Sequence, residues 1–101
     1  MEKHRTDGLD ALCRAILSLQ TAEECEAFLD DLCTIRELQD MSQRYAVAMM
    51  LDGGSNYQDI SRATGASTAT ISRVNKCLNY GSQGYRTVLS RGKEEPTDET
   101  P

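Results

Sequence analysis

The stretch Tyr57-Gln-Asp-Ile-Ser-Arg-Ala-Thr-Gly-Ala-Ser-Thr-Ala-Thr-Ile-Ser-Arg-Val-Asn-Lys76 decides how this chain is read. Gly65 stands between two short segments, and glycine reaches positive φ without steric cost, so a sharp turn is expected there. Ile60 precedes that glycine, while Ile71 and Val74 follow it at i, i+3 spacing on one helical face. Three apolar side chains around one glycine can hold two short helices at a fixed angle, the arrangement of a helix-turn-helix. Between them runs a row of small polar residues, Ser67, Thr68, Thr70 and Ser72. These are poor helix interiors by propensity. They make sense where hydroxyls face phosphates and base edges. Arg62, Arg73 and Lys76 flank the row, so the set points to double-stranded DNA. Each feature also has a bland role: Ser67 serves as an N-cap, the threonines as a solvated face, and Gly65 as a helix end.

Working outward, 101 residues allow one domain with one modest core, expected over residues 1–92. The composition is 39% hydrophobic with no Trp and one Phe, so that core is aliphatic. Small helical cores with exposed apolar stripes often gain stability by dimerising. No apolar run approaches the length of a membrane span. The start, Met1-Glu-Lys-His-Arg-Thr-Asp-Gly, is a charged cluster rather than a signal peptide, and the expected location is the cytoplasm. Cys13, Cys25, Cys33 and Cys77 form no Cys-x-x-Cys pair, and the one histidine is His4. No metal site is expected from them. Cys13, Cys25 and Cys33 read as small core hydrophobes in a reducing compartment.

The net charge of -5 argues against a nucleic-acid partner until its distribution is considered. Residues 1–43 hold ten acidic and four basic side chains, a net of -6. Residues 44–92 hold Arg44, Arg62, Arg73, Lys76, Arg86 and Arg91 against Asp52 and Asp59, a net of +4. The tail 93–101 carries -3 and is expected to be a disordered acidic segment. Positive charge is concentrated where the motif lies, and local potential steers a protein to DNA.

The whole chain reads as all-α, with about six helices. Leu9, Leu12, Cys13, Ile16 and Leu17 repeat at helical spacing between Asp7 and Leu19. Thr21-Ala-Glu-Glu24 and Thr34-Ile-Arg-Glu37 are capping boxes that open the next two helices. The first of these should bury Cys25, Phe28, Leu29 and Leu32. The second carries the stripe Leu38, Met41, Tyr45, Ala48 and Met49, with Leu51 near its end, and stops at Gly53-Gly54. Ser55 or Asn56 caps a helix of about 56–63, and Ser67 starts another of about 67–78, so the helix-turn-helix covers about 56–78. A short last helix is expected around Tyr85 to Leu89.

No enzyme constellation is present: there is no usable histidine base and no phosphate loop of the Gly-Lys-Ser kind. No cofactor is expected. The acidic run Glu23, Glu24, Glu26, Asp30 and Asp31 reads as a solvated helix face. Met41, Met49 and Met50 read as core and interface filler. The alternative to DNA binding is a helical protein–protein interaction module that uses the acidic N-terminal helices.

Gly65-Ala-Ser-Thr-Ala-Thr-Ile-Ser-Arg73 closely resembles the recognition segment of the Trp repressor family. The longer string from Ser55 through Tyr57-Gln-Asp-Ile-Ser-Arg62 to Asn75-Lys-Cys-Leu-Asn-Tyr-Gly81 resembles the Trp-repressor-related YerC/YecD family. The likeness covers about Leu9 to Leu89. It implies an intertwined, all-helical homodimer whose recognition helices read two half-sites of an operator, and hence a repressor. Family positions that contact DNA match Ser67, Thr68, Ala69, Thr70 and Ser72, with Tyr57 and Gln58 near the backbone. Arg62, Arg73 and Lys76 join them as phosphate candidates on this chain's own charge pattern. The family's effector pocket matches Thr34, Arg44 and Arg73. However, Val74 stands where the repressor has a glycine, and Cys77 where it has a serine. A β-branched side chain in the path of an indole ring makes tryptophan an unexpected ligand, and leaves any other small-molecule effector open. The short last helix implies a different dimer interface at that end.

Overall fold

A computed structural model describes residues 7–94. It contains α1 (Asp7–Leu17), α2 (Ala22–Leu32), α3 (Ile35–Asp52), α4 (Tyr57–Thr64), α5 (Thr68–Tyr80) and α6 (Gly84–Glu94), and no strand among those residues. The all-α expectation with about six helices is met. No helix among the described residues is long and apolar enough to cross a membrane. The acidic tail beyond residue 94, and His4, lie outside the described residues.

Contacts divide the chain into two compact units, with the boundary inside α3 between Leu38 and Gln39. In the first unit, Thr21 caps α2 by accepting the Glu24 N–H at 3.0 Å. Glu24 reaches back one residue further than a reciprocal box requires, accepting from the Gln20 N–H at 2.9 Å. Thr34 and Glu37 make the reciprocal box: the Glu37 N–H donates to Thr34 Oγ1 at 3.0 Å, and the Thr34 N–H to Glu37 Oε1 at 2.8 Å. These caps satisfy backbone donors that a helix start leaves orphaned. The burial expected of α2 is absent. Cys25, Phe28 and Leu29 are half-buried and Leu32 is 49% exposed, while Leu17 and Ile35 are 81% and 75% exposed. Cys13 is exposed and Cys33 half-buried, so the cysteines are not the core of this unit.

The second unit holds the core: Val47, Ala48, Ile60, Ala66, Ile71, Val74, Leu78 and Leu89 are all buried. Ile60, Ile71 and Val74 are three of its members, as the spacing around Gly65 predicts. On α3 the buried pair is Val47 and Ala48, whereas Met41 and Met49 are exposed. The expected stripe is thus rotated. The side of α3 that meets α4 and α5 is set by Val47 and Ala48, and Met50, Leu51 and Tyr45 pack at its edge.

Asn56, not Ser55, caps α4: its Oδ1 accepts the Asp59 N–H at 2.8 Å. Gly65 ends the helix at φ 77°, in the left-handed region. The turn is knitted by the Ser61 hydroxyl donating to the Ala66 carbonyl at 2.9 Å and the Thr64 hydroxyl to the Ile60 carbonyl at 2.8 Å. Ser67 then caps α5, accepting the Thr70 N–H at 3.1 Å. Gly81 closes α5, and a Cβ there would collide with the Cys77 carbonyl.

The last helix is longer than expected and includes Lys93, which sequence reading assigned to the tail. The physical reason is Asp52 at the end of α3. Its carboxylate receives Arg86 at 3.0 Å and Lys93 at 2.7 Å, one pair at each end of α6.

The φ of Gly65 yields a direct test. A Cβ there would meet only Gln43 Nε2 at 3.9 Å, an ordinary contact, so Gly65→Ala costs backbone strain alone. That strain is about 1–2 kcal/mol. The melting temperature should fall by roughly 4–8 °C per kcal/mol. An unchanged melting temperature contradicts the left-handed turn.

Candidate nucleic-acid interface

Helix α5 separates its side chains cleanly. Ile71, Val74 and Leu78 are buried, and Ala66 just before the helix is buried with them. Thr68, Ala69, Ser72, Arg73 and Lys76 are exposed. Their spacing places them on the face opposite the buried stripe. The helix is therefore gripped on one side and presents small hydroxyls, one methyl and two cations on the other.

Helix α4 supplies a second group. Tyr57, Gln58, Ser61 and Arg62 line an open recess of about 350 Å³ with Thr68 of α5. The structure thus brings Tyr57, Gln58, Arg62 and Thr68 together. Tyr57 is half-buried against the core, whereas Gln58 and Arg62 are exposed. Arg62 is not a free cation: its guanidinium meets Asp59 Oδ1 at 3.1 Å, one turn back. Such an exposed pair is worth little and opens easily toward a stronger anion.

Two of the small polar residues are occupied. Ser67 caps the helix, and its hydroxyl also donates to Thr70 Oγ1 at 3.2 Å. Thr70 is half-buried and faces a second recess, of about 180 Å³, with Asp40, Gln43, Arg44 and Arg73. Arg44 and Arg73, two of the sequence-predicted effector residues, therefore line one recess. All five lining side chains are polar. Thr34 has its hydroxyl committed to the cap of α3. Val74 is 1% exposed and part of the core.

Three residues escaped the sequence reading, and all act over long chain separations. Gln43 donates from Nε2 to the Thr64 carbonyl at 3.1 Å. Arg86 donates to the Leu78 carbonyl at 3.1 Å, to Asp52 Oδ1 at 3.0 Å and to Asn79 Oδ1 at 3.3 Å. Asp52 accepts from Lys93 as well as from Arg86. The bond with Lys93, with the field of both cations, holds its carboxyl below the usual 3.8, while partial burial opposes the shift. No local motif marks these residues. Their partners lie 21, 8 and 34 residues away for Gln43–Thr64, Arg86–Leu78 and Arg86–Asp52 respectively.

Among the described residues no cluster of His, Cys, Asp or Glu could hold a metal ion. No buried side-chain nitrogen or oxygen there lacks a hydrogen bond. A helix-turn-helix with a small-polar and cationic outer face, on an all-helical scaffold, is the architecture of a DNA-binding regulator class. The model of the Trp repressor protein family matches residues 7–93. The uncharacterized protein YerC of Bacillus subtilis (strain 168) is 53% identical over 98 residues, which is 97% of this chain and 94% of that protein. A solved structure of a TrpR-like protein from Eubacterium eligens ATCC 27750 is 46% identical, with a TM-score of 0.87 over 96% of this chain and 100% of that one. A crystal structure from Staphylococcus aureus, of a candidate Trp repressor, is 48% identical with a TM-score of 0.86 over 95% and 96% of the two chains. This chain belongs to the Trp repressor family, and within it to the YerC-related group.

The depressed Asp52 carboxyl gives a pH test. A carboxyl whose folded pKa lies below its unfolded value stabilises the fold above the unfolded pKa, and that stability is lost as pH falls through the folded pKa. Asp52→Asn should therefore melt below the wild type at neutral pH, with the gap closing as pH drops below the ordinary 3.8. A gap that stays constant across that range contradicts the ion pairs.

Proposed function

We propose that this protein is a cytoplasmic, homodimeric transcriptional repressor that binds a two-fold operator through α5. The observation that carries the reading is the exposed row Thr68, Ala69, Ser72, Arg73 and Lys76, backed by the buried Ile71, Val74 and Leu78. Thr68 and Ser72 offer hydroxyls to base edges or bridging waters, and Ala69 offers a methyl to thymine. Ser67 and Thr70 shape the start of α5 and present the helix N-terminus to phosphate. Tyr57 and Gln58 approach the DNA backbone from α4. Arg62, Arg73 and Lys76 neutralise phosphates, with Arg62 leaving Asp59 to do so.

A second copy supplies what one chain lacks. No described residue before Leu38 is buried, yet Ile16, Leu17, Leu32 and Ile35 are 45%, 81%, 49% and 75% exposed. Large exposed apolar side chains in that number mark an association surface. The single domain over 1–92 is completed by an intertwined partner. Its two α5 helices then read half-sites about 34 Å apart. Tryptophan is not the effector. The recess between Arg44 and Arg73 is lined by five polar side chains, a poor match for an indole, and Val74 occupies core space. If this were instead an interaction module built on acidic α1 and α2, a chain of net charge -5 would pass through heparin unretained.

The test separates base reading from phosphate contact. Thr68→Ala should weaken binding to a selected duplex by roughly tenfold while leaving binding to a scrambled duplex unchanged. Lys76→Ala should weaken both and reduce the slope of log affinity against log salt by about 1. Equal losses on both duplexes for Thr68→Ala would remove base reading from α5.

A further inference from the structure

We propose that Gln43 and Arg86 are positioning residues, which fix the recognition helix α5 from outside the helix-turn-helix, Gln43 at the turn that leads into it and Arg86 at its C-terminal end. The proposal rests on the DNA-binding reading above and adds the residues that set its precision. Apolar burial is non-directional, so Ile71, Val74 and Leu78 decide which face of α5 turns inward but set its fine rotation and slide less sharply than a directional bond does. Hydrogen bonds are directional and supply that constraint.

At the entry to α5, Gln43 Nε2 donates to the carbonyl of Thr64, the last residue of α4, at 3.1 Å. This carbonyl is one of those that a helix end leaves without an intrahelical donor. Other carbonyls nearby are already used: Ser61 O accepts the Gly65 N–H at 2.8 Å, and Ile60 O accepts the Thr64 hydroxyl. Gln43 therefore satisfies the last carbonyl of α4 with a bond from a different helix. Its own placement is fixed because Val47, one turn further along α3, is 0% exposed.

At the exit from α5, the Arg86 guanidinium makes three bonds at once: Nε to the Leu78 carbonyl, and its two terminal nitrogens to Asp52 and Asn79. Leu78 O is likewise a carbonyl of a final helical turn. Asp52 is the last residue of α3 and is held by Lys93 too. Thus α3 holds the end of α4, just ahead of the turn into α5, through Gln43, and the C-terminal end of α5 through the Arg86 fork at Asp52. The two grips are nine residues apart on one rigid helix, a span of about 13 Å. Groups that read a ligand must be held to within about 0.5 Å, a precision to which supporting hydrogen bonds contribute alongside packing.

Gln43→Met keeps the length of the side chain and removes the donor. Arg86→Lys keeps the charge beside Asp52 and removes the fork, since an ammonium is a point charge without planar geometry. Both variants are compared with the wild type on three readouts. These are amide exchange of the free protein, melting temperature, and affinity for a duplex selected by the wild type against a scrambled duplex of equal length. The expected result is a fall in the selected-to-scrambled ratio of roughly fivefold to tenfold, the change that one net hydrogen bond converts to. Scrambled-duplex binding should be unchanged, and exchange should quicken in residues 65–80 and not in 40–51. A ratio that stays constant overturns the proposal. So does a parallel fall on both duplexes that tracks the melting temperature, which is what a merely structural role produces. If the wild type selects no duplex, the DNA-binding reading fails by itself, and exchange then judges the clamps: quickening confined to 65–80 upholds them, and none overturns them.

Discussion

The burial of Ile60, Ala66, Ile71 and Val74 across the left-handed turn at Gly65 is the constraint on which the rest depends. Helices of 8 and 13 residues, the lengths of α4 and α5, are marginal alone in water. They exist because each buries one face against the other and against Val47 and Ala48 of α3. Only glycine adopts the φ of 77° at that corner without penalty, so the angle between the helices follows from one residue and four side chains. Once that angle is set, the face of α5 carrying Thr68, Ala69, Ser72, Arg73 and Lys76 has no direction left but outward.

Charge and apolar surface are divided along the chain in the same way. The segment from Arg44 to Gly92 carries +4 and contains the core, while residues 1–43 carry -6 and none of the described residues among them is buried. An acidic, apolar-flecked pair of helices would repel DNA and attract another protein surface. A basic, well-packed helix-turn-helix does the reverse. The change from one kind of surface to the other falls within α3.

What was legible in the sequence was local. The capping residues Thr21, Thr34 and Ser67 and the turn at Gly65 each act within four residues, and all were readable from spacing. The Ile60, Ile71 and Val74 triad was readable because it straddles a single turn. Features that depend on distant chain were hidden. Nothing near Gln43 announces its bond to Thr64, and nothing near Arg86 announces Asp52. The length of α6 was misjudged for the same reason, since Gly84 and Gly92 weaken it locally and Asp52 secures it from afar. The stripe expected on α3, Leu38, Met41, Tyr45, Ala48 and Met49, leaves out Val47, yet Val47 is buried while Met41 and Met49 are exposed. Helical periodicity alone cannot divide apolar positions between a core and an association surface. Of the candidate site, the outer row of α5 was legible, and the occupation of Ser67 and Thr70 by each other was not.

The central claim is that α5 reads a two-fold operator. The most direct measurement is selection of genomic DNA fragments by the purified protein with no added ligand. The account predicts an enriched palindrome with half-sites about one helical turn apart. Failure to enrich any sequence, with an amino-acid pool present as well as without it, would contradict it.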